Sequence, residues 1–268
     1  AVNYGLEEMK NYFGNRDVGK KIIIVPEEKP LGTGGAMRNC INHVTGTVAV
    51  FNGDVVSSIN LEEMLEQHIN KKAKGTLALW EIDDPSRFGV VELKNNKILQ
   101  FQEKPEKGTE LSNLINAGTY LLEREILEMI PPNQKISIER DIYPKIAGNG
   151  LYGFPFKGYF IDSGTPKSYL EANFKCLGND GTASHLGASI RGSCLIHKSV
   201  RLIDCIIGPN AVIGPDVKLE KCVIRNSVIL SGVEGYGCVV EDSIIGPEIS
   251  LKEDKKQILI SPKGEITF

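Results

Sequence analysis

Two runs of sequence decide how this chain is read: Glu27-Glu28-Lys29-Pro30-Leu31-Gly32-Thr33-Gly34-Gly35-Ala36 and, after a polar segment, Val48-Ala49-Val50-Phe51-Asn52-Gly53-Asp54. The second is an apolar run of strand length that stops at Asn-Gly-Asp. It predicts a buried strand of a parallel sheet with a carboxylate at its carboxyl end. Open α/β sheets gather ligands at that end. The first run is a glycine-rich loop that leads into a short helix over residues 35–42. Gly32, Gly34 and Gly35 carry no side chain, so backbone there can come close to a planar ligand. A glycine loop alone is more often a plain turn; beside a strand-end Asp it calls for partners elsewhere in the chain.

Working outward, residues 6–13 space Leu6, Met9, Tyr12 and Phe13 as a helix, and residues 21–25 form a short apolar strand. Downstream, residues 61–70 read as a helix and 75–81 as a strand. Residues 88–93 and 98–101 pair around Asn95-Asn96 as a hairpin. Residues 115–122 form a strand, 124–130 a helix ended by Pro131-Pro132, and 138–147 a helix with Pro144 inside it. Strands over 152–156 and 159–161 precede a helix over 167–177, with Thr165 placed to cap it and Pro166 in its first turn. Alternating strands and helices imply a mainly parallel, layered α/β sheet of Rossmann-like type.

Composition changes across 178–182. Beyond it, Ile190, Ile196 and Leu202 stand six apart, as do Ile207, Ile213 and Leu219 after a one-residue slip. The echoes Ile-Gly-Pro-Asn, Ile-Gly-Pro-Asp and Ile-Gly-Pro-Glu fall between them. A hexapeptide repeat with one inward aliphatic per face builds a left-handed parallel β-helix, and stacked coils share one core. A short β-sandwich is the alternative that the echoes disfavour. Domains are therefore expected at 1–178 and 185–268, with the charge run 252–256 as a solvated face.

The chain has 268 residues, enough for one large domain or two smaller ones, and 41% of them are hydrophobic, enough for a real core. A net charge of −3 with mixed signs gives no nucleic-acid surface. Neither a membrane span nor a secretory signal is present in the sequence, so a cytoplasmic protein is expected. The six cysteines form no Cys-x-x-Cys pair and are expected to be buried free thiols. The first residue is Ala1 and not Met, so it is not expected to be the start of a natural gene product.

Asp54 and Asp162 each end a strand, and two such carboxylates suit a hard cation such as Mg²⁺, which leaves its other positions to phosphate oxygens and water. Lys104, in Glu103-Lys104-Pro105, offers a point charge for a phosphate. Asn116 and Glu139 supply acceptors for sugar hydroxyls. The four histidines give no Ser/His/Asp set and read as surface or packing residues. Each assignment has a plainer reading: Asp54 as a loop cap, Glu103 as a surface partner of Lys104.

The motifs Glu-x-Pro-Leu-Gly-Thr, Asn-Gly-Asp, Phe-Gly-Val-Val, Glu-Lys-Pro, Asn-Ala-Gly, Ile-Glu-Arg-Asp and Asp-x-Gly-Thr-Pro occur in the order seen in nucleoside-diphosphate-sugar pyrophosphorylases. The chain resembles these sugar-1-phosphate nucleotidyltransferases over residues 1–173, and its β-helix resembles the C-terminal domain many of them carry. The resemblance implies Asp54 and Asp162 as Mg²⁺ ligands and Lys104 as the grip on the sugar phosphate. It implies Gly89, Glu103, Asn116 and Glu139 as sugar contacts, and Glu27, Gly32 and Thr33 at the nucleotide. The implied reaction is in-line attack of a sugar-1-phosphate oxygen on the α-phosphorus of a nucleoside triphosphate, which needs positioning and charge neutralisation and no covalent nucleophile.

The family opens with a strand and a Gly-x-Gly-x-Arg-Leu phosphate loop. The sequence given begins beyond the place of that loop, so a fragment is expected, or a loop supplied otherwise. Two rivals follow: a regulatory or structural subunit without catalysis, and an acyltransferase in the β-helix, for which His197 is the one candidate base. The narrow aliphatic column of the β-helix predicts a homo-oligomer through that domain. Glu27 stands where many relatives have Gln. An ionised carboxylate only accepts, which suits the N1–H and exocyclic amine of guanine. GTP with mannose-1-phosphate is therefore expected ahead of UTP or dTTP with glucose-1-phosphate, unless Glu27 points to solvent and the Gly32 backbone alone meets the base.

Overall fold

The computed structural model of the chain describes residues 1–14, 16–17, 19–178, 184–252, 259–261 and 264–266. The centre of the expected linker, residues 179–183, and positions 253–256 of the charge run lie outside the described residues. The chain divides into two compact units, Ala1–Phe160 and Ile161–Phe268.

In the first unit α1 (Leu6–Gly14) forms as the spacing predicts, though it buries none of its residues. Residues 21–25 do not form the expected strand. They have strand propensity but pair with no strand among the described residues: the Val25 carbonyl accepts from the Val2 amide at 2.9 Å beside an isolated bridge of Val2 to Pro26, and Ile22 and Ile23 stay exposed. α2 (Gly32–Asn39) starts three residues earlier than expected, so the glycines are its first turn rather than a loop, and a 3₁₀ turn, Ile41–His43, follows. Next come β1 (Val48–Phe51), β2 (Val55–Ser57), α3 (Leu61–Asn70), β3 (Gly75–Glu81), β4 (Gly89–Lys94), β5 (Lys97–Glu103), β6 (Leu114–Leu122) and α4 (Arg124–Glu128). α5 (Tyr143–Ile146) and β7 (Leu151–Pro155) complete the layer.

The six-stranded sheet has the order β1-β6-β3-β7-β5-β4. β3 and β7 are parallel and the other pairs antiparallel. The layered α/β unit is as expected, but its sheet is mixed rather than mainly parallel. The β4–β5 turn is too short for a crossover and imposes antiparallel pairing. Asn95 and Asn96, at φ +50° and +64°, make it a tight hairpin turn. β1 is also corrected: it is a marginal strand, antiparallel to β6, with Val48 and Val50 turned to the core and Phe51 exposed. Successive residues of β3 serve two cores. Leu77 and Leu79 pack with Ile126, Leu127 and Ile142, while Ala78 packs with Met64 of α3. The helix expected over 138–147 is split at Pro144: a π turn, Ile138–Ile142, is followed by α5, whose first turn holds the proline.

In the second unit Thr165 and Ser168 form a reciprocal capping box at the start of α6 (Pro166–Leu177). The rest is a parallel β-solenoid with three sheet faces, two of them four-stranded among the described residues. Leu202, Leu219, Gly235 and Leu251 lie in register, so a rung takes 17 residues, then 16 and 16. Three full hexapeptides would take about 18, and the shortfall is the slip seen in the sequence. Ile196, Leu202, Ile207, Ile213 and Leu219 are all buried in one column, with Ile190 packed against it. Cys194, Cys205, Cys222 and Cys238 are buried there as free thiols, whereas Cys40 is half-buried and Cys176 exposed, against expectation.

Candidate active site

The first turn of α2 is pressed against the segment leading into the π turn. The Gly34 and Gly35 amides donate to the Ile136 carbonyl at 2.9 and 3.3 Å. A Cβ on Gly32, which stands at φ +70°, would lie 2.7 Å from that same oxygen. These glycines thus serve a backbone-to-backbone approach first. Because of it Thr33 reaches Glu139. Thr33 Oγ1 donates to Glu139 Oε2 at 2.6 Å and accepts from the Ile138 amide at 3.1 Å. Ser137 Oγ donates to the same Oε2 at 2.7 Å and accepts from the Arg140 amide at 3.2 Å. Glu27, half-buried, closes its own loop: its Oε2 accepts from the Leu31 amide at 3.0 Å.

Gly89 and Glu103 face each other across the β4–β5 hairpin. A Cβ on Gly89 would lie 2.6 Å from the Phe101 ring and 2.9 Å from Glu103 Oε2, so the glycine makes room for that carboxylate. Burial, and next the charge of Glu139, raise the pKa of Glu103 above the ordinary carboxylate value; Lys104 and Arg140 oppose the rise. Where β5 ends, the backbone takes a left-handed turn at Lys104 (φ +49°), whose amide donates to the Phe88 carbonyl at 3.0 Å. The Lys104 side chain is exposed.

On β6, Asn116 is held at both ends of its amide. Nδ2 donates to the Tyr120 hydroxyl at 3.0 Å, and Oδ1 accepts from the Gly118 amide at 3.3 Å. Gly118, at φ +68°, lets the strand pass Asn52, whose Nδ2 would lie 2.8 Å from a Cβ there. The Tyr120 hydroxyl is buried. Burial first, then the charge of Glu139, with smaller effects from Glu103 and Asp54, push its pKa upward against the Asn116 hydrogen bond. Asp54, Glu103, Asn116 and Glu139 therefore converge electrostatically on one phenol. Beneath it, Tyr143 packs edge-on at 5.6 Å between ring centroids. Sequence reasoning missed Tyr120, Ser137 and Asn52. The Tyr four residues beyond Asn116, on a strand, was the available signal for the first.

Asp54 is exposed in the turn between β1 and β2. β8 (Phe160–Asp162) ends at half-buried Asp162, a residue of the second unit, whose Oδ1 accepts from the Gly164 amide at 2.9 Å. Among the described residues no group of three or more His, Cys, Asp or Glu could hold a metal. His68 is buried between Thr76 and Glu123, at 2.8 and 3.1 Å, as a packing residue. His197 lies against Ser199 on its own turn at 2.8 Å. No helix of the described residues is long and apolar enough to cross a membrane.

Residues 2–178 match the family model described as Nucleotidyl transferase, and residues 190–256 match the GMPPB C-terminal domain. Mannose-1-phosphate guanylyltransferase of Mycobacterium tuberculosis is 33% identical over 84% of this chain and 64% of its own length. A probable mannose-1-phosphate guanylyltransferase 1 of Oryza sativa is 32% identical over 92% of this chain and 72% of its own. Among solved structures, HddC from Yersinia pseudotuberculosis in complex with GMP-PN superposes with a TM-score of 0.55 at 29% identity, covering 65% of this chain and 76% of that one.

Proposed function

The chain belongs to the nucleotidyl transferase family, and on that premise we propose that it is a sugar-1-phosphate nucleotidyltransferase that makes GDP-mannose from GTP and mannose-1-phosphate. The observation that carries this reading is the acceptor cluster of Glu103, Asn116 and Glu139 around the Tyr120 hydroxyl, which suits the hydroxyls of a sugar ring. Lys104 binds the sugar phosphate as a point charge. An oxygen of that phosphate forms a bond to the α-phosphorus of the triphosphate, the bond to the β-phosphate bridge breaks, and pyrophosphate leaves. Asp54 and Asp162 are assigned to Mg²⁺, which would neutralise phosphate charge in this reaction. We assign the catalytic domain to 1–178 and the β-helix to 185–268, place the protein in the cytoplasm, and expect a homo-oligomer through the β-helix.

Guanine rests on what the relatives are called more than on Glu27, which spends one oxygen on Leu31. The nucleotide is therefore met by the backbone at Gly32 and by the remaining oxygen of Glu27. The acyltransferase reading finds no support in the placement of His197 beside Ser199. Pyrophosphate release measured with mannose-1-phosphate, Mg²⁺ and each triphosphate in turn tests the proposal. GTP should be preferred, and Asp162→Asn should lower turnover by at least about a hundredfold while the fold is kept, since the amide removes the charge that holds the ion. Preference for UTP or dTTP, or an Asp162→Asn protein with unaltered turnover at limiting Mg²⁺, overturns it. A chain that binds both substrates without turnover would support the non-catalytic subunit instead.

A further inference from the structure

We propose that Thr33 is a positioning residue for Glu139, tying the first turn of α2 to the carboxylate that meets the sugar. This rests on the reading of Glu139 as a sugar contact. The Thr33 hydroxyl proton is committed to Glu139 Oε2 at 2.6 Å, and its oxygen accepts from the Ile138 amide at 3.1 Å. Ser137 repeats the arrangement on the same Oε2, with the Arg140 amide behind it. Each hydroxyl is thus polarised by a backbone donor as it donates, and hydrogen bonds chained in this way reinforce each other. Bonds from hydroxyl to carboxylate are short and strong because the acceptor is charged.

With Oε2 occupied by two hydroxyls, Oε1 is the oxygen assigned to the sugar on this proposal. Ser137 stands two residues from Glu139 and moves with it. Thr33 is 106 positions away in sequence, on another element. It cannot shift alone, because the amides of Gly34 and Gly35 bind Ile136 and Gly32 has no room for a side chain. A nucleotide settling on the α2 turn therefore acts on the sugar carboxylate through Thr33. On this proposal the Thr33 hydroxyl is spent on Glu139 and Ile138, and Thr33 meets the nucleotide, as expected from the sequence, through its backbone.

The test is calorimetric titration of GTP, and of mannose-1-phosphate with and without GTP, in the presence of a chelator. The proteins are the wild-type chain, Thr33→Val and Thr33→Ser. Thr33→Val should weaken mannose-1-phosphate about tenfold, the scale of one charge-assisted hydrogen bond, and GTP by less than about twofold. Thr33→Ser, which restores the hydroxyl, should bring the sugar phosphate back to within about twofold of wild type. A Thr33→Val protein that loses GTP as strongly as mannose-1-phosphate, or retains both, overturns the proposal, as does a Thr33→Ser protein no better than Thr33→Val. If the wild-type chain takes up no mannose-1-phosphate at all, the functional reading fails. The tie is then judged by urea unfolding of Thr33→Val, Glu139→Gln and the double variant. Non-additive losses support it and additive losses refute it.

Discussion

Glu103 shows how much of the site is decided by a single side chain's surroundings. It is half-buried, and Gly89 opposite it leaves the space its carboxylate fills. Burial, then the charge of Glu139, hold its pKa above the ordinary 4.5. Between that value and the raised native one, the native state keeps a proton that the unfolded chain has released. Its contribution to stability falls as pH rises from below that ordinary value through the raised native one, and is constant beyond. Glu103→Gln removes the ionisable group. Its melting temperature should exceed that of wild type at about pH 7, and the gain should vanish below about pH 4, where both states of the wild type are protonated. Melting curves collected across that range check this; a difference independent of pH would contradict it. The same variant should bind mannose-1-phosphate less well, because a carboxylate acceptor has gone. Stability and binding would then move in opposite directions at one residue, as they do where a site keeps a charge that the fold alone would discard.

At the scale of elements, α2 is placed by contacts that a local reading of sequence does not contain. A Cβ on Gly35 would lie 2.5 Å from the Gln134 carbonyl and 2.8 Å from Leu31 Cβ. Gly35→Ala should therefore force α2 off residues 134–138 and cost about 1–3 kcal/mol in urea unfolding. A cost near zero would mean that the helix docks otherwise. The glycines were legible as a place where backbone comes close, but not as to what it approaches, since Gln134 is about a hundred residues away. Where the signal is local the reading succeeded. Asn95-Asn96 fixed a hairpin, and Thr165 with Pro166 fixed the start of α6. Pro144 also carried the correct local message, a helix start rather than an interior, and the apolar spacing around it hid that. Residues 21–25 failed for the opposite reason: a run of β-branched residues states a preference, and pairing decides whether it is used. β1 is a strand as read, but its antiparallel pairing with β6 and the exposure of Phe51 are not written in the run itself. In the candidate site, Glu103, Asn116 and Glu139 were legible as candidates because charge and amide in ordered motifs stand out. Tyr120 and Ser137 were not, because a buried phenol and a serine look like ordinary core and turn residues until their partners are known.

The whole molecule joins two different kinds of order. The first unit holds its core between a sheet and helices on both faces, so its apolar residues come from strands and helices alike. The second is a stack in which each rung contacts its neighbours, and in which one column of small and aliphatic side chains is the core. Cysteine is at home in such a column as a small hydrophobe. Cys222 and Cys238 sit in successive rungs with sulfurs 3.1 Å apart, and Cys205 lies one rung before them. Burial raises the Cys194 thiol above its ordinary range, and the hydrogen bond with Cys222, then burial, raise the Cys205 thiol, which keeps both from forming the reactive thiolate. These four sulfurs therefore report on the solenoid, and Cys176 and Cys40 on the rest. A thiol titration of the native chain with an aromatic disulfide at about pH 8 should show Cys176 reacting at once, since it is exposed, and Cys40 more slowly, since it is half-buried. Cys194, Cys205, Cys222 and Cys238 should react only as the solenoid unfolds, and together, because opening one rung removes the neighbour that covers the next. Mass spectrometry of the labelled chain at increasing denaturant reads this directly. Labelling of any of the four before loss of β-sheet circular dichroism, or their labelling one at a time at well-separated denaturant concentrations, would show that the stack does not unfold as one cooperative unit.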